Sequence, residues 1–228
     1  MKFFALALLF GVLSVAAVTD VELIYFGLKG RAEAIRLILH YGGIPFRDTR
    51  VTAEEWTRIK YDKSRFPYAV IPVLQVNRTI IAETSVITRF VARITNLDHS
   101  YDPLDQARID EVYEVASDFF NEVIHYISGT VEGTKVVTQA DYNTLFLPHV
   151  QKYLPLVEKF IRENANGLFS RRGLSYTDFF WASVVDWIND IHPEIVQQHP
   201  ISAAHRIRIL SLPQLQPYLR TQGHRVVL

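Results

Sequence analysis

The 228-residue chain has no cysteine, which excludes a disulfide framework, a CxxC redox pair, thiolate zinc sites and a cysteine nucleophile together. Any sulfur chemistry has to use a thiol brought by another molecule. Excess charge of one sign is also lacking, since 24 Lys and Arg balance 24 Asp and Glu. A strong field for nucleic acid or another polyanion is therefore excluded. Glycine and proline number only ten each and are scattered. With 49% hydrophobic and 21% charged residues, the composition is that of a packed globular chain holding one or two domains. GxSxG, a Walker loop, GxGxxG after a strand, HExxH and histidines paired four apart are all missing. The eight histidines (His40, His99, His125, His149, His192, His199, His205 and His224) are dispersed. They read as surface or capping residues, and no metal is expected.

The longest apolar run stands at the start. Lys2, the stretch from Phe3 to about Val15 and the small residues Ala16-Ala17 read as a secretory signal peptide over residues 1–17. A run of about 13 residues is short of the ~20 that a spanning helix needs. The cleaved protein is thus expected to be secreted, extracellular and without a membrane span. Asn77-Arg78-Thr79 is the only N-x-[S/T] sequon. It lies between two apolar runs, where a hairpin turn exposes Asn77 to glycosylation.

Periodicity divides the rest of the chain. Val21–Phe26 reads as a strand, Arg31–Tyr41 as a helix ended by Gly42-Gly43, Pro45–Val51 as a second strand and Ala53–Lys60 as a short helix. Tyr61–Tyr68 reads as a solvated loop. Ile71–Val76 and Thr79–Ala82 form a hairpin, and Ser85–Thr95 a helix with Val86, Ile87, Phe90, Val91 and Ile94 on one face. The order is βαβαββα. Residues 96–105 are polar and read as a linker. Beyond it the pattern is helical, with long amphipathic helices over Gln106–Ser128 and Tyr142–Arg162. Ser175-Tyr176-Thr177-Asp178 then caps a helix buried nearly all round. The fold class is α+β, with a small α/β domain over residues 18–96 and an all-α domain over 106–228.

Five segments carry a resemblance: Leu23 to Arg36 (LIYFGLKGRAEAIR), Glu55-Trp56 with Lys60, Pro67 to Leu74 (PYAVIPVL), Ala82 to Ser85 (AETS), and the Ser175–Asp178 cap. In this order and spacing the chain resembles cytosolic-type glutathione transferases, closest to the sigma-like group of nematode enzymes and hematopoietic prostaglandin D synthase. The resemblance spans nearly all of residues 20–220. It implies a thioredoxin-like N-terminal domain, a homodimer, and glutathione as co-substrate without a metal. The implied reaction is conjugation of the glutathione thiolate to a small electrophile, with isomerase or peroxidase side activities within the family's range.

The residue roles follow from that resemblance and have a chemical rationale. A thiol with a pKa of about 8.5 is only about 3% ionised at pH 7, so activation means stabilising the anion. Tyr25 matches the catalytic tyrosine, whose hydroxyl donates to the sulfur; a two-unit shift needs roughly 2.7 kcal/mol. Arg31 matches an arginine beside it. Pro72 matches the cis-proline of thioredoxin-like folds, with the Ile71 main chain pairing to the cysteinyl portion of glutathione. Val70 and Ala69 stand where the family has Gln or Lys and Gly. Glu83-Thr84 replaces Gln-Ser at a helix N-terminus, which suits the γ-glutamyl carboxylate; Glu83 alternatively meets the γ-glutamyl ammonium. Trp56 and Lys60 match positions that hold the glycyl carboxylate. Asp118 matches an aspartate lent across the dimer interface. Phe26 and the stretch Phe119–His125 would line the electrophile pocket, with His125 where the prostaglandin synthase has tryptophan. The rival reading is a secreted, non-catalytic carrier of apolar ligands on the same scaffold. The departures at Ala69, Val70 and Thr84 favour the carrier, while Tyr25, Arg31, Trp56 and Lys60 together favour the enzyme.

Overall fold

The computed structural model describes residues 20–99, 101–131 and 137–221. The leader expected over residues 1–17 lies outside them. β1 (Val21–Phe26) turns Leu23 and Tyr25 to one face and Ile24 to the other, as the two-residue period of a strand requires. β2 (Arg47–Val51) pairs with β1 in parallel, β3 (Val73–Val76) pairs with it antiparallel, and β4 (Thr79–Ala82) joins β3 antiparallel. The strand order is β2-β1-β3-β4. Two strands start later than expected, at Arg47 and Val73, because Pro45 and Pro72 have no N–H to give a ladder. Asn77 takes φ 55° between β3 and β4, the left-handed geometry of a two-residue hairpin, and its side chain is exposed.

α1 (Glu33–Tyr41) follows a single 3-10 turn at Gly30–Ala32, and α3 (Thr84–Ile94) follows β4. Ile35, Ile38 and Leu39 of α1, with Ile87 and Val91 of α3, join Leu23 and Leu74 in a core continuous with that of the helical half. The other sheet face carries a smaller cluster of Ile24, Val51, Phe66 and Val73. It is closed by α2 (Ala53–Ile59), where Thr52 and Glu55 cap reciprocally. Phe66 corrects the expected solvated loop. It is fully buried, because a two-turn helix is too short to cover that face alone.

The helical half comprises α4 (Pro103–Val131), α5 (Gln139–Asp141), α6 (Leu147–Glu163), α7 (Tyr176–Ile191), α8 (Pro193–Gln198), α9 (Pro200–Leu210) and α10 (Gln216–Thr221). The helix expected from Tyr142 opens instead with a five-residue π turn, Tyr142–Phe146. α7 lies at the centre, as its nearly all-round apolarity predicts. Ser175 and Asp178 form the expected capping box, and Phe179 and Trp181 are fully buried. The linker is a second correction. Leu97, Asp98 and His99 are buried and α4 already begins at Pro103, a first-turn position that tolerates proline. His99 is no surface residue: Nδ1 lies 2.9 Å from Asp105 and Nε2 3.0 Å from the Leu174 carbonyl oxygen. His205 is likewise buried, with Nε2 2.8 Å from Asp178. A buried polar ring needs hydrogen-bond partners; both nitrogens of His99 have them, and His205 is held through Nε2 alone. Among the described residues, no helix is long and apolar enough to cross a membrane.

Candidate active site

Strand register gathers the candidate residues at one end of the sheet. Ile24 pairs with Val73 and Val73 with Ala82. The next positions, Tyr25, Pro72 and Glu83, therefore follow one another across β1, β3 and β4. Val51 beside Phe26 leads into α2, so Trp56 and Lys60 join the same end. This is the carboxyl end of β1, the edge at which open α/β sheets bind ligands.

Tyr25 is 5% exposed, and its hydroxyl oxygen accepts the Arg31 backbone N–H at 3.2 Å. A hydroxyl that accepts from an amide becomes a stronger donor of its own proton. Gly30 makes this approach feasible. It sits at φ +42°, and a Cβ there would fall 2.7 Å from the Tyr25 oxygen and 2.6 Å from Leu28 Cδ1. Arg31 turns outward from the 3-10 turn. Its Nη1 donates to Asn121 of α4 at 2.8 Å and its guanidinium lies 5.7 Å from the Phe120 ring centroid.

Trp56 is half-buried, edge-on to Phe66 at 5.0 Å and to Phe26 at 6.5 Å. Lys60 ends α2 one turn later, its Nζ 5.1 Å from the Tyr61 ring centroid. The Ile71-Pro72 peptide is cis, as the resemblance implies. Ile71 is half-buried, whereas Val70 is 40% exposed. Glu83 adopts φ 73°, and its side chain makes no cap to α3. Such a conformation in a non-glycine residue is a local strain held by its surroundings. Glu83 rather than Thr84 occupies the N-cap position, and Thr84 is the first helical residue. Its carbonyl accepts the Thr88 hydroxyl at 2.7 Å. The first turn of α3 has no side-chain cap, and the free N–H groups of a helix N-terminus suit a carboxylate.

Asp118 is exposed on α4, one turn before Asn121. Phe119 points into the helical core against Tyr153 and Trp181, so it leaves the expected electrophile pocket. Phe120 faces Arg31 and packs on Phe180 and Trp187. His125 is exposed.

Sequence reasoning missed the group that shapes the loop. Arg36 is fully buried on α1. Its Nε donates to both Asp48 oxygens at 3.1 Å, Nη1 to the Leu28 carbonyl at 2.8 Å and to Glu33 at 3.3 Å, and Nη2 to the Phe26 carbonyl at 3.2 Å. Burial pulls its pKa down, but Glu33 and Asp48 outweigh that and hold it above the ordinary value. A signal existed, since an arginine between Ile35 and Leu37 on a buried helix face must find partners. Among the described residues, no group of three His, Cys, Asp or Glu is placed to hold a metal.

Comparisons with known proteins bear on the fold and the family. The glutathione S-transferase N-terminal domain family matches residues 31–94 and the C-terminal domain family residues 117–222. A probable glutathione S-transferase of Caenorhabditis elegans is 31% identical over 209 residues, covering 86% of this chain and 93% of that protein. Hematopoietic prostaglandin D synthase of Gallus gallus is 25% identical over 199 residues, covering 87% and 94%. The crystal structure of a glutathione S-transferase from Ascaris lumbricoides superposes with a TM-score of 0.81 over 91% of this chain and 99% of that one, at 22% identity. Monomeric Na-GST-3 from Necator americanus gives a TM-score of 0.80 at 26% identity over 89% and 97%. With both domain families matched and a relative of this identity and coverage, the chain belongs to the glutathione S-transferase family.

Proposed function

We propose that this chain is a sigma-like enzyme that conjugates glutathione to a small electrophile, with Tyr25 as its catalytic residue. The family uses glutathione as co-substrate. In this reading the tripeptide lies along the strand-end edge. The Ile71 main chain before Pro72 takes the cysteinyl portion as an added strand, with Val70 at its rim. The first turn of α3, from Glu83 to Thr84, receives the γ-glutamyl carboxylate; alternatively Glu83 meets the γ-glutamyl ammonium. Lys60 and the Trp56 indole N–H hold the glycyl carboxylate.

The thiol gives its proton to solvent, and the Tyr25 hydroxyl donates to the resulting thiolate. Sulfur then forms a bond to the electrophile, which either accepts the electron pair by addition or expels a leaving group. Arg31, between Asn121 and the Phe120 ring, supplies a fixed cation on the electrophile side. The observation that carries this reading is the Tyr25 hydroxyl under the Arg31 amide, in register with Pro72 and Glu83. Retention on immobilised glutathione, followed by turnover of an aromatic halide, tests it. Retention without turnover would leave Tyr25 without its catalytic role.

Secretion, a glycan at Asn77 and a homodimer belong to the same proposal. Asn77 stands exposed at its hairpin. Tyr68, Val70 and Val86 expose large apolar surface at 66%, 40% and 51%, and in a dimer Asp118 would reach the partner's glutathione. One sample addresses all three: protein from the medium of a secreting eukaryotic cell should begin near Val18, lose mass on amidase treatment and sediment as a dimer. Full-length intracellular material, an unchanged mass or a monomer would each remove the corresponding part.

A further inference from the structure

The loop joining β1 to α1 is gripped from three directions. Arg36 holds its Phe26 and Leu28 carbonyls from the inside, and Arg31 reaches Asn121 on α4. The third grip is Lys29. Its Nζ lies 2.7 Å from Asp186 and 2.5 Å from Asp190, two carboxylates four residues apart and so on one face of α7. Arg206 of α9 approaches Asp186 from its own side at 2.7 Å, so two cations and two anions alternate across the boundary between sheet and helices. The Lys29, Asp186 and Asp190 side chains are 29%, 17% and 36% exposed. At that burial an ion pair keeps more of its strength than at a fully wetted surface. Burial pulls the Lys29 pKa down, but the two aspartates outweigh it and keep the ammonium charged.

We propose that Lys29 is a positioning residue for the thiol site, a clasp by which α7 fixes the Gly30-Arg31 backbone against the Tyr25 hydroxyl. This rests on the reading of Tyr25 given above. The Arg31 amide reaches Tyr25 at 3.2 Å, near the long end of the hydrogen-bond range, so a displacement of about 1 Å would break the contact. Lys29 stands two residues from that amide and touches neither thiol nor electrophile. Its loss should therefore lower turnover while the tripeptide's binding groups stay in place.

The test compares Lys29→Met, Lys29→Arg, the charge-balanced pair Lys29→Met with Asp190→Asn, and Tyr25→Phe, with thermal unfolding followed for each. Lys29→Met should lower kcat about tenfold, leave KM for glutathione within about twofold and move the acidic limb of the pH–rate profile upward, as misplacement of a catalytic group does. Lys29→Arg should restore turnover, because it reaches both carboxylates. The charge-balanced pair should remain impaired, since it restores net charge without the clasp. Lys29→Gln replaces Lys29→Met if the latter unfolds. Unchanged kcat in Lys29→Met beside a defective Tyr25→Phe would overturn the proposal alone, and so would full recovery in the charge-balanced pair. Unimpaired Tyr25→Phe would overturn the reading of Tyr25 and the proposal with it.

Discussion

Replacing Tyr25 with phenylalanine is expected to cut conjugation at pH 6.5 by between about 5-fold and 50-fold, with glutathione affinity nearly unchanged. The upper figure is the loss of thiolate when the bound thiol rises from a pKa of about 6.5 to about 8.5. The lower figure allows for a more basic thiolate being the better nucleophile, with a Brønsted slope of about 0.45. These opposing effects give the prediction its sign with pH. As pH rises through about 8.5 the variant's thiol ionises unaided, so the deficit closes and by about pH 9 the variant equals or exceeds the wild type. Steady-state rates across that range check it, and a deficit constant with pH would assign Tyr25 a role other than holding the anion. Affinity should be spared because, in the reading proposed above, Lys60, Trp56 and the α3 N-terminus hold the carboxylates and ammonium of the tripeptide.

Replacing Arg36 with alanine is expected to cost about 3–5 kcal/mol of stability, since it leaves the buried Glu33 carboxylate and two loop carbonyls without their cation and Asp48 with Arg50 alone. Glu33 is 6% exposed and also accepts the Tyr218 hydroxyl of α10 at 2.9 Å, so the loss reaches both halves of the molecule. For a chain of this size the midpoint should fall by about 10 °C. Neutralising Glu33 in the same variant should recover part of it, because an uncompensated buried charge is worse than a neutral group there, while Asp48 keeps Arg50. A thermal melt monitored by circular dichroism measures both. A midpoint shifted by less than about 2 °C would mean that water reaches these carboxylates.

The fold was legible where period and punctuation agreed. Leu23 and Ile24 on opposite faces, Asn77-Arg78 between two apolar runs and Ser175 with Asp178 each state a local geometry that nothing in the tertiary structure overrules. The candidate site was legible only as a set of positions: the resemblance named Tyr25, Pro72 and Glu83, and strand register brings the end of β1, the residue before β3 and the residue after β4 to one end of the sheet. What stayed hidden depends on distance in space. Phe66 is buried since the sheet's second face lacked cover, and His99 since Ser170 and Leu174, more than seventy residues away, supply its surroundings. Arg36 and Lys29 were unread for the same reason. Apart from Glu33, one turn before Arg36 on α1, their partners, Asp48 on β2 and Asp186 and Asp190 on α7, are joined to them by no periodicity. Phe119 and Phe120 show the limit of a helical period: adjacent aromatics on α4 face different ways, and only packing against Trp181 or Arg31 tells which meets the cleft.

The central claim is that the Tyr25 hydroxyl stabilises a thiolate on bound glutathione, and titrating that thiol by its ultraviolet absorbance on the wild-type protein tests it most directly. The account predicts an apparent pKa near 6.5, roughly two units below the unperturbed value of about 8.5. A bound thiol that titrates at about 8.5, or a cleft that takes up no glutathione, would contradict it.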